Sequence, residues 1–94
     1  MLEMQGLLLK IPRGKVTTYG ELARVLKSHP RAIGKMLNCN QEPEKYPCYK
    51  VVMSSGNLGG YSSGLSKKIS LLTNDGLTVT NNKIWNFRKV LYRF

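Results

Sequence analysis

The sequence is poor in acid, in cysteine and in histidine. Asp and Glu number 5 against 15 Lys and Arg, for a formal net charge of +10 at pH 7. That imbalance points away from cationic partners and toward a polyanion. Nucleic acid fits better than an anionic membrane, because no stretch reads as a helix basic on one face and bulky apolar on the other. A solvated basic surface is the plainer alternative. The longest apolar run, Leu7 to Leu9, is far too short to cross a bilayer. No basic leader followed by a long apolar segment is present, so no signal peptide is expected. Two cysteines and one histidine cannot build a closed zinc site. Cys39 and Cys48 can in principle pair, but nothing secretory supports a disulfide, and free thiols in the cytoplasm (the nucleus in a eukaryote) are expected. There is no repeat and no low-complexity segment. An apolar content of 41% over 94 residues gives one domain, residues 1–94, with a modest core.

The most informative stretch is Tyr46 to Gly64, Y-P-C-Y-K-V-V-M-S-S-G-N-L-G-G-Y-S-S-G. Pro47 fixes its own φ and drives Tyr46 toward extended geometry, so Cys48 is presented by stiff backbone. Val51, Val52 and Met53 read as a short buried strand, and Ser55-Gly56-Asn57 as the turn that sends the chain back. Cys48 is either a nucleophile or a small buried hydrophobe, and spacing alone leaves both open.

Around this stretch the pattern is mainly helical. Residues 2–10 form a loose helix that Ile11-Pro12-Arg13-Gly14 terminates, and Lys15 to Thr18 is extended. Tyr19-Gly20 opens a second helix from Glu21 to Leu26, with Glu21 suited to the positive end of its dipole. After Lys27-Ser28-His29, Pro30 sits at the start of a third helix capped by Ser28 or His29. That helix buries Ile33 and Met36 or Leu37 and turns Arg31 and Lys35 outward. Two short helices joined in this way read as a helix-turn-helix. Gly34 lowers helix stability by roughly 1 kcal/mol relative to Ala; close approach by a partner and close packing on the second helix explain it equally well. Leu65 to Thr73 is a fourth helix, with Leu65, Ile69 and Leu72 inward and Lys67 and Lys68 outward, stopped at Asn74-Asp75-Gly76. Residues 77–94 begin as a strand, turn at Asn81-Asn82 and end in an aromatic, basic tail. Its Lys83, Arg88, Lys89 and Arg93 suit phosphate contact, while Trp85, Phe87 and Tyr92 read as packing groups. The fold expected is mainly α with a small β component: a winged helix-turn-helix-like domain of three to four helices with short β-hairpins.

I-P-R-G-K-V-T-T-Y-G-E-L-A (11–23), P-R-A-I-G (30–34), Asn40, P-C-Y-K-V-V (47–52), L-G-G-Y-S-S-G-L (58–65) and L-L-T-N-D-G-L (71–77) occur in that order. Together they resemble the C-terminal domain of the O6-alkylguanine-DNA alkyltransferases over roughly residues 8 to 80. The short, single-domain length also resembles the alkyltransferase-like proteins, which bind alkylated DNA without repairing it. The resemblance implies a target nucleotide rotated out of the duplex and a helix-turn-helix in the minor groove rather than the usual major groove. It implies DNA contact through Thr18, Tyr19, Arg31, Ala32, Gly34 and Lys35. Arg31 fills the vacated stack, with ordinary phosphate contact as its alternative. Tyr19 crowds the target phosphate and donates to the leaving guanine, with half-buried packing as its alternative. Cys48 is the alkyl acceptor. The pocket is formed by Pro43, Val51, Tyr61 and Ser62 and braced by Asn40. No metal or cofactor is implied, the thioether product means one turnover per molecule, and the expected partner of this monomer is double-stranded DNA carrying O6-alkylguanine, with other repair proteins possible partners.

Two positions depart from the family pattern. The family's histidine after the cysteine is Tyr49 here, and its glutamate near the end of the fourth helix is Asp75. Tyrosine, with an unperturbed pKa of about 10, is a poor base at neutral pH, and a free thiol near about 8.5 is little ionised there. Loss of histidine catalysis costs on the order of 10² to 10⁴ in rate. A water-mediated relay from Tyr49 to Asp75, and a thiol pKa lowered by Lys50, are the expected compensations. Three functions follow: a single-turnover DNA methyltransferase, a lesion sensor without transfer activity, and a winged-helix protein without lesion preference, which leaves the Pro-Cys motif unexplained.

Overall fold

The computed structural model describes residues 2–38, 46–59, 61 and 64–94. Helix α1 (Leu2–Lys10) is followed by strand β1 (Thr17–Thr18), helix α2 (Tyr19–Leu26) and helix α3 (Pro30–Asn38). A 3₁₀ turn (Cys48–Lys50) runs directly into β2 (Val51–Val52), and α4 (Leu65–Asn74), β3 (Val79–Thr80), β4 (Lys83–Ile84) and the short α5 (Phe87–Val90) complete the order. The architecture is mostly helical with small strand pairs, a helix-turn-helix accompanied by a short hairpin.

Local chemistry sets each boundary. Thr18 ends β1 in extended geometry, and its hydroxyl accepts the Glu21 amide at 3.0 Å, so α2 begins at Tyr19. Lys27 closes α2 in the left-handed region at φ 54°, its amide returning to the carbonyls of Ala23 and Arg24. His29 caps α3: its carbonyl takes the Ile33 amide and its Nδ1 the Ala32 amide. Asn81 and Asn82, both at positive φ, make the two-residue turn of the antiparallel β3–β4 hairpin.

The β1–β2 pair is parallel, with Thr17 opposite Val51 and Thr18 opposite Val52, so the chain between them makes a crossover connection. The pair separates two cores. On one side Met4, Leu8, Ile11, Leu22, Ile33 and Leu37 gather with Cys48 and Val51. On the other, Val16, Val52, Leu58, Leu72, Leu77 and Ile84 pack together. Alternation along a strand sends neighbouring valines to opposite sides. The chain then returns to β1, where Val16 donates to the Val90 carbonyl at 2.8 Å and accepts from the Tyr92 amide at 2.6 Å.

Four sequence expectations are corrected. Lys68 is buried at 0% exposure, its Nζ donating to the carbonyls of Val51 and Leu58. Leu65, expected inside, is 36% exposed. Helix α4 is therefore rotated so that Lys68 and Leu72 point inward, where the ammonium donates to one carbonyl of β2 and one of the return after it. Met53 is 46% exposed and Trp85 61% exposed. Met53 lies past the two paired residues of β2, and Trp85 lies outside the second core, whose aromatic members are Tyr49 and Phe87. No helix among the described residues is long and apolar enough to cross a membrane.

Candidate active site

A cavity of about 750 Å³ opens between the helix-turn-helix and the return that follows β2. Tyr19, Arg31 and Gly34 line it from the helices, and Met53, Gly59 and Tyr61 from the opposite side. Its size is that of a small-molecule or nucleobase site. Tyr19 is aimed there by its place in the first turn of α2, with its ring lying over Gly59. A Cβ added at Gly59 would stand 3.4 Å from the Tyr19 hydroxyl, on a residue already at φ +71°. Gly34 behaves differently: a Cβ there meets no described atom within 4 Å. Packing on α2 therefore does not explain this glycine, and the space beside it is free for a partner to approach.

Cys48 opens the 3₁₀ turn, its amide bonded to the Tyr46 carbonyl at 2.7 Å. Its thiol is free and only 6% exposed. The sulfur does not line the cavity. It lies one side chain behind the wall, donating to the Tyr61 hydroxyl at 3.8 Å. Burial pushes the Tyr61 phenol well above the ordinary tyrosine range, and the bond to Cys48 adds to the rise. Tyr19 is raised as well, by burial first and then by the neighbouring Cys48.

The expected Tyr49–Asp75 pair is arranged otherwise. Asp75 Oδ2 accepts from Lys50 Nζ at 3.0 Å and from the Gly14 amide at 2.8 Å. Lys50, 5% exposed in that pair, also donates to the carbonyls of Ile11 and Pro12. Its charge is thus committed to Asp75 and the α1–β1 turn rather than to the sulfur. Tyr49 packs against the second core, its pKa raised by burial first and by Asp75 second. Among the described residues its hydroxyl has no hydrogen bond to Cys48 or Asp75.

Of the other anticipated site residues, Val51 is buried in the first core and does not reach the cavity. Thr18 is 7% exposed and occupied as the α2 cap. Arg31 and Lys35 are exposed on α3, with Ala32 half-buried between them. Asn40, Pro43 and Ser62 lie outside the described residues. Residues that the sequence did not single out are Met53 and Gly59 in the wall and Lys68 beneath it. The Gly59-Gly60 pair was a signal for close approach; helical periodicity gave none for Lys68. No group of three or more His, Cys, Asp or Glu suited to a metal stands together among the described residues.

Residues 3–77 match the family described as 6-O-methylguanine DNA methyltransferase, DNA binding domain. A bifunctional methyltransferase/endonuclease of Picrophilus torridus is 51% identical over 83 residues, covering 86% of this chain and 28% of the relative. The O6-methylguanine-DNA methyltransferase structure from Pyrococcus kodakaraensis superposes with a TM-score of 0.74 at 39% identity, over 80% of this chain and 44% of that one. An S. pombe structure in complex with damaged DNA containing O6-carboxymethylguanine shares the fold at a TM-score of 0.82 and 23% identity, over 99% of this chain and 94% of that one. The chain spans less than half the length of the methyltransferase relatives it matches. With the family match running through both the helix-turn-helix and the cysteine turn, the chain belongs to the 6-O-methylguanine DNA methyltransferase family, in its DNA-binding domain.

Proposed function

We propose that this protein binds double-stranded DNA containing O6-alkylguanine, takes the flipped nucleotide into the cavity and transfers its alkyl group once to Cys48. The observation that carries this reading is the shared wall. Tyr19, Arg31 and Gly34 of the helix-turn-helix border the same cavity as Tyr61, whose hydroxyl holds the Cys48 sulfur. A base extruded past α3 enters a cavity that only the Tyr61 side chain separates from the thiol, so Tyr61 has to move aside for the sulfur to reach the alkyl carbon. Arg31 occupies the gap in the stack, the Gly34 face allows the backbones to approach, and Lys35 meets phosphate. The Tyr19 phenol, protonated at neutral pH, donates to the departing O6. Sulfur gives up its proton to solvent and forms a bond to the alkyl carbon, and the carbon–oxygen bond breaks with its electron pair on oxygen. The guanine takes up a proton from Tyr19, which solvent reprotonates, so the thiol proton is balanced by the guanine's. The names of the relatives support the same chemistry.

A second reading, lesion binding without transfer, is favoured by the buried sulfur and by Asp75 being bound to Lys50 instead of serving a relay. Intact-mass measurement after incubation with a duplex containing O6-methylguanine separates the two. Transfer adds one methylene equivalent to the Cys48 peptide, and Cys48→Ala abolishes the gain while keeping binding. Selective binding with no mass change on the wild-type chain supports the sensor. Gly34→Ala tests the helix face. It raises stability by up to about 1 kcal/mol, since the methyl meets empty space, and weakens DNA binding, as read by melting and by titration with duplex.

A further inference from the structure

We propose that the Tyr61 hydroxyl is the hydrogen-bonding partner that stabilises the Cys48 thiolate, the part that a base beside the cysteine would otherwise play. The sulfur is 6% exposed, so water solvates its anion poorly and a protein donor is needed. Tyr61 Oη lies 3.8 Å from Sγ. Neither Tyr49 nor Lys50 offers an alternative: the one has no bond to the sulfur among the described residues, and the other is held by Asp75.

In the thiol form, S–H donates to Oη. After water or a buffer base has taken the thiol proton, the phenol rotates its own O–H toward sulfur and becomes the donor. Burial keeps the Tyr61 phenol protonated across the range in which a thiol ionises, so the donor is present whenever the thiolate is. Lys68 supports the arrangement from below. Its Nζ, held by the carbonyls of Val51 and Leu58, lies 6.0 Å from the centre of the Tyr61 ring. The charged and titratable groups facing the sulfur are Tyr19 from α2, Tyr49 from the 3₁₀ turn, Tyr61 from the return and Lys68 from α4. Of these, Tyr61 is the group whose hydroxyl is hydrogen-bonded to the sulfur. Tyr61 gains and loses no proton overall; it stabilises the anion that attacks. The inference bears on the transfer proposed above but requires only that Cys48 act as a nucleophile.

The test is alkylation of Cys48 by iodoacetamide in the intact chain without DNA, followed against pH by peptide mass so that Cys39 is counted separately. A sulfur–carbon bond forms and iodide leaves, so the rate follows the thiolate fraction. Tyr61→Phe is expected to move the inflection up by about one pH unit and to slow the reaction at pH 7 by about tenfold. Tyr49→Phe leaves the inflection in place. Fluorotyrosine at position 61, nearly isosteric and a stronger donor, lowers it, which guards against a folding defect in the Phe variant. A Tyr61→Phe profile that superimposes on wild type, or no shift with fluorotyrosine, overturns the proposal. These shifts without any alkyl transfer from DNA would sink the transfer reading and leave this one standing; transfer with unchanged inflections would do the reverse.

Discussion

Lys50 and Lys68 are both buried, at 4% and 0% exposure, yet the protein holds them by different means. Lys50 meets a carboxylate, Asp75, at 3.0 Å, and the two together fasten the α1–β1 turn to the end of α4. Lys68 meets the carbonyls of Val51 and Leu58 and lies over a tyrosine ring. Dipoles offset a buried charge less fully than an opposite charge does. Burial accordingly lowers Lys68 from 10.5 to about 8, the negative charge of the nearby Cys48 sulfur, when ionised, pulling the other way. One lysine is a clasp; the other places an ammonium under the site loop at the expense of its own ionisation.

The largest effect is expected from Asp75→Asn. It leaves the Lys50 ammonium buried without its counter-charge, at a cost of about 3–5 kcal/mol in urea unfolding. Adding Lys50→Met to that variant restores a substantial part; equal losses in the single and double variants would break the contrast. Lys68→Met comes next, at about 1–3 kcal/mol, because two carbonyls lose their donor. Its signature is pH dependence. A folded-state pKa below the unfolded value means that the unfolded chain binds more protons between about 8 and 10.5. Wild-type stability relative to Lys68→Met therefore rises with pH across that window and is flat below it. Subtracting the variant removes the opposite contribution of the raised tyrosines, which both proteins share. Lys67→Met, on the exposed side of α4, changes stability by no more than about 0.5 kcal/mol.

Much of this was legible in the residues. Pro30, Asn81-Asn82 and Asp75-Gly76 mark their boundaries through backbone preference, which acts locally and is visible in a short window. The motif around Cys48 coincides with the 3₁₀ turn, and Tyr19, Arg31 and Gly34, read as DNA contacts, stand together on the wall of one cavity. What escaped depends on groups far apart in sequence. Lys68 reads as an outward residue beside Lys67 because periodicity weighs polarity; only the carbonyls of Val51 and Leu58, brought in by β2 and the return, make a donor useful there. Lys50 reads as a neighbour of the thiol because it is two residues away, while its actual partner, Asp75, arrives from the end of another helix. Tyr61 was read as pocket wall, and its bond to the sulfur followed only from the folded return.

The return of the final residues to β1 and α2 bears on how the molecule is made. Phe94 is bonded through its amide to Glu21 and through its carbonyl to Arg24, across sequence separations of 73 and 70 residues, and Lys15 reaches the Lys89 carbonyl across 74. Closing loops of that length gives up chain entropy before any contact compensates it. During synthesis the helix-turn-helix leaves the ribosome well before the residues that brace it, so the bonds that tie α2 to the end of the chain form only after translation has passed residue 94.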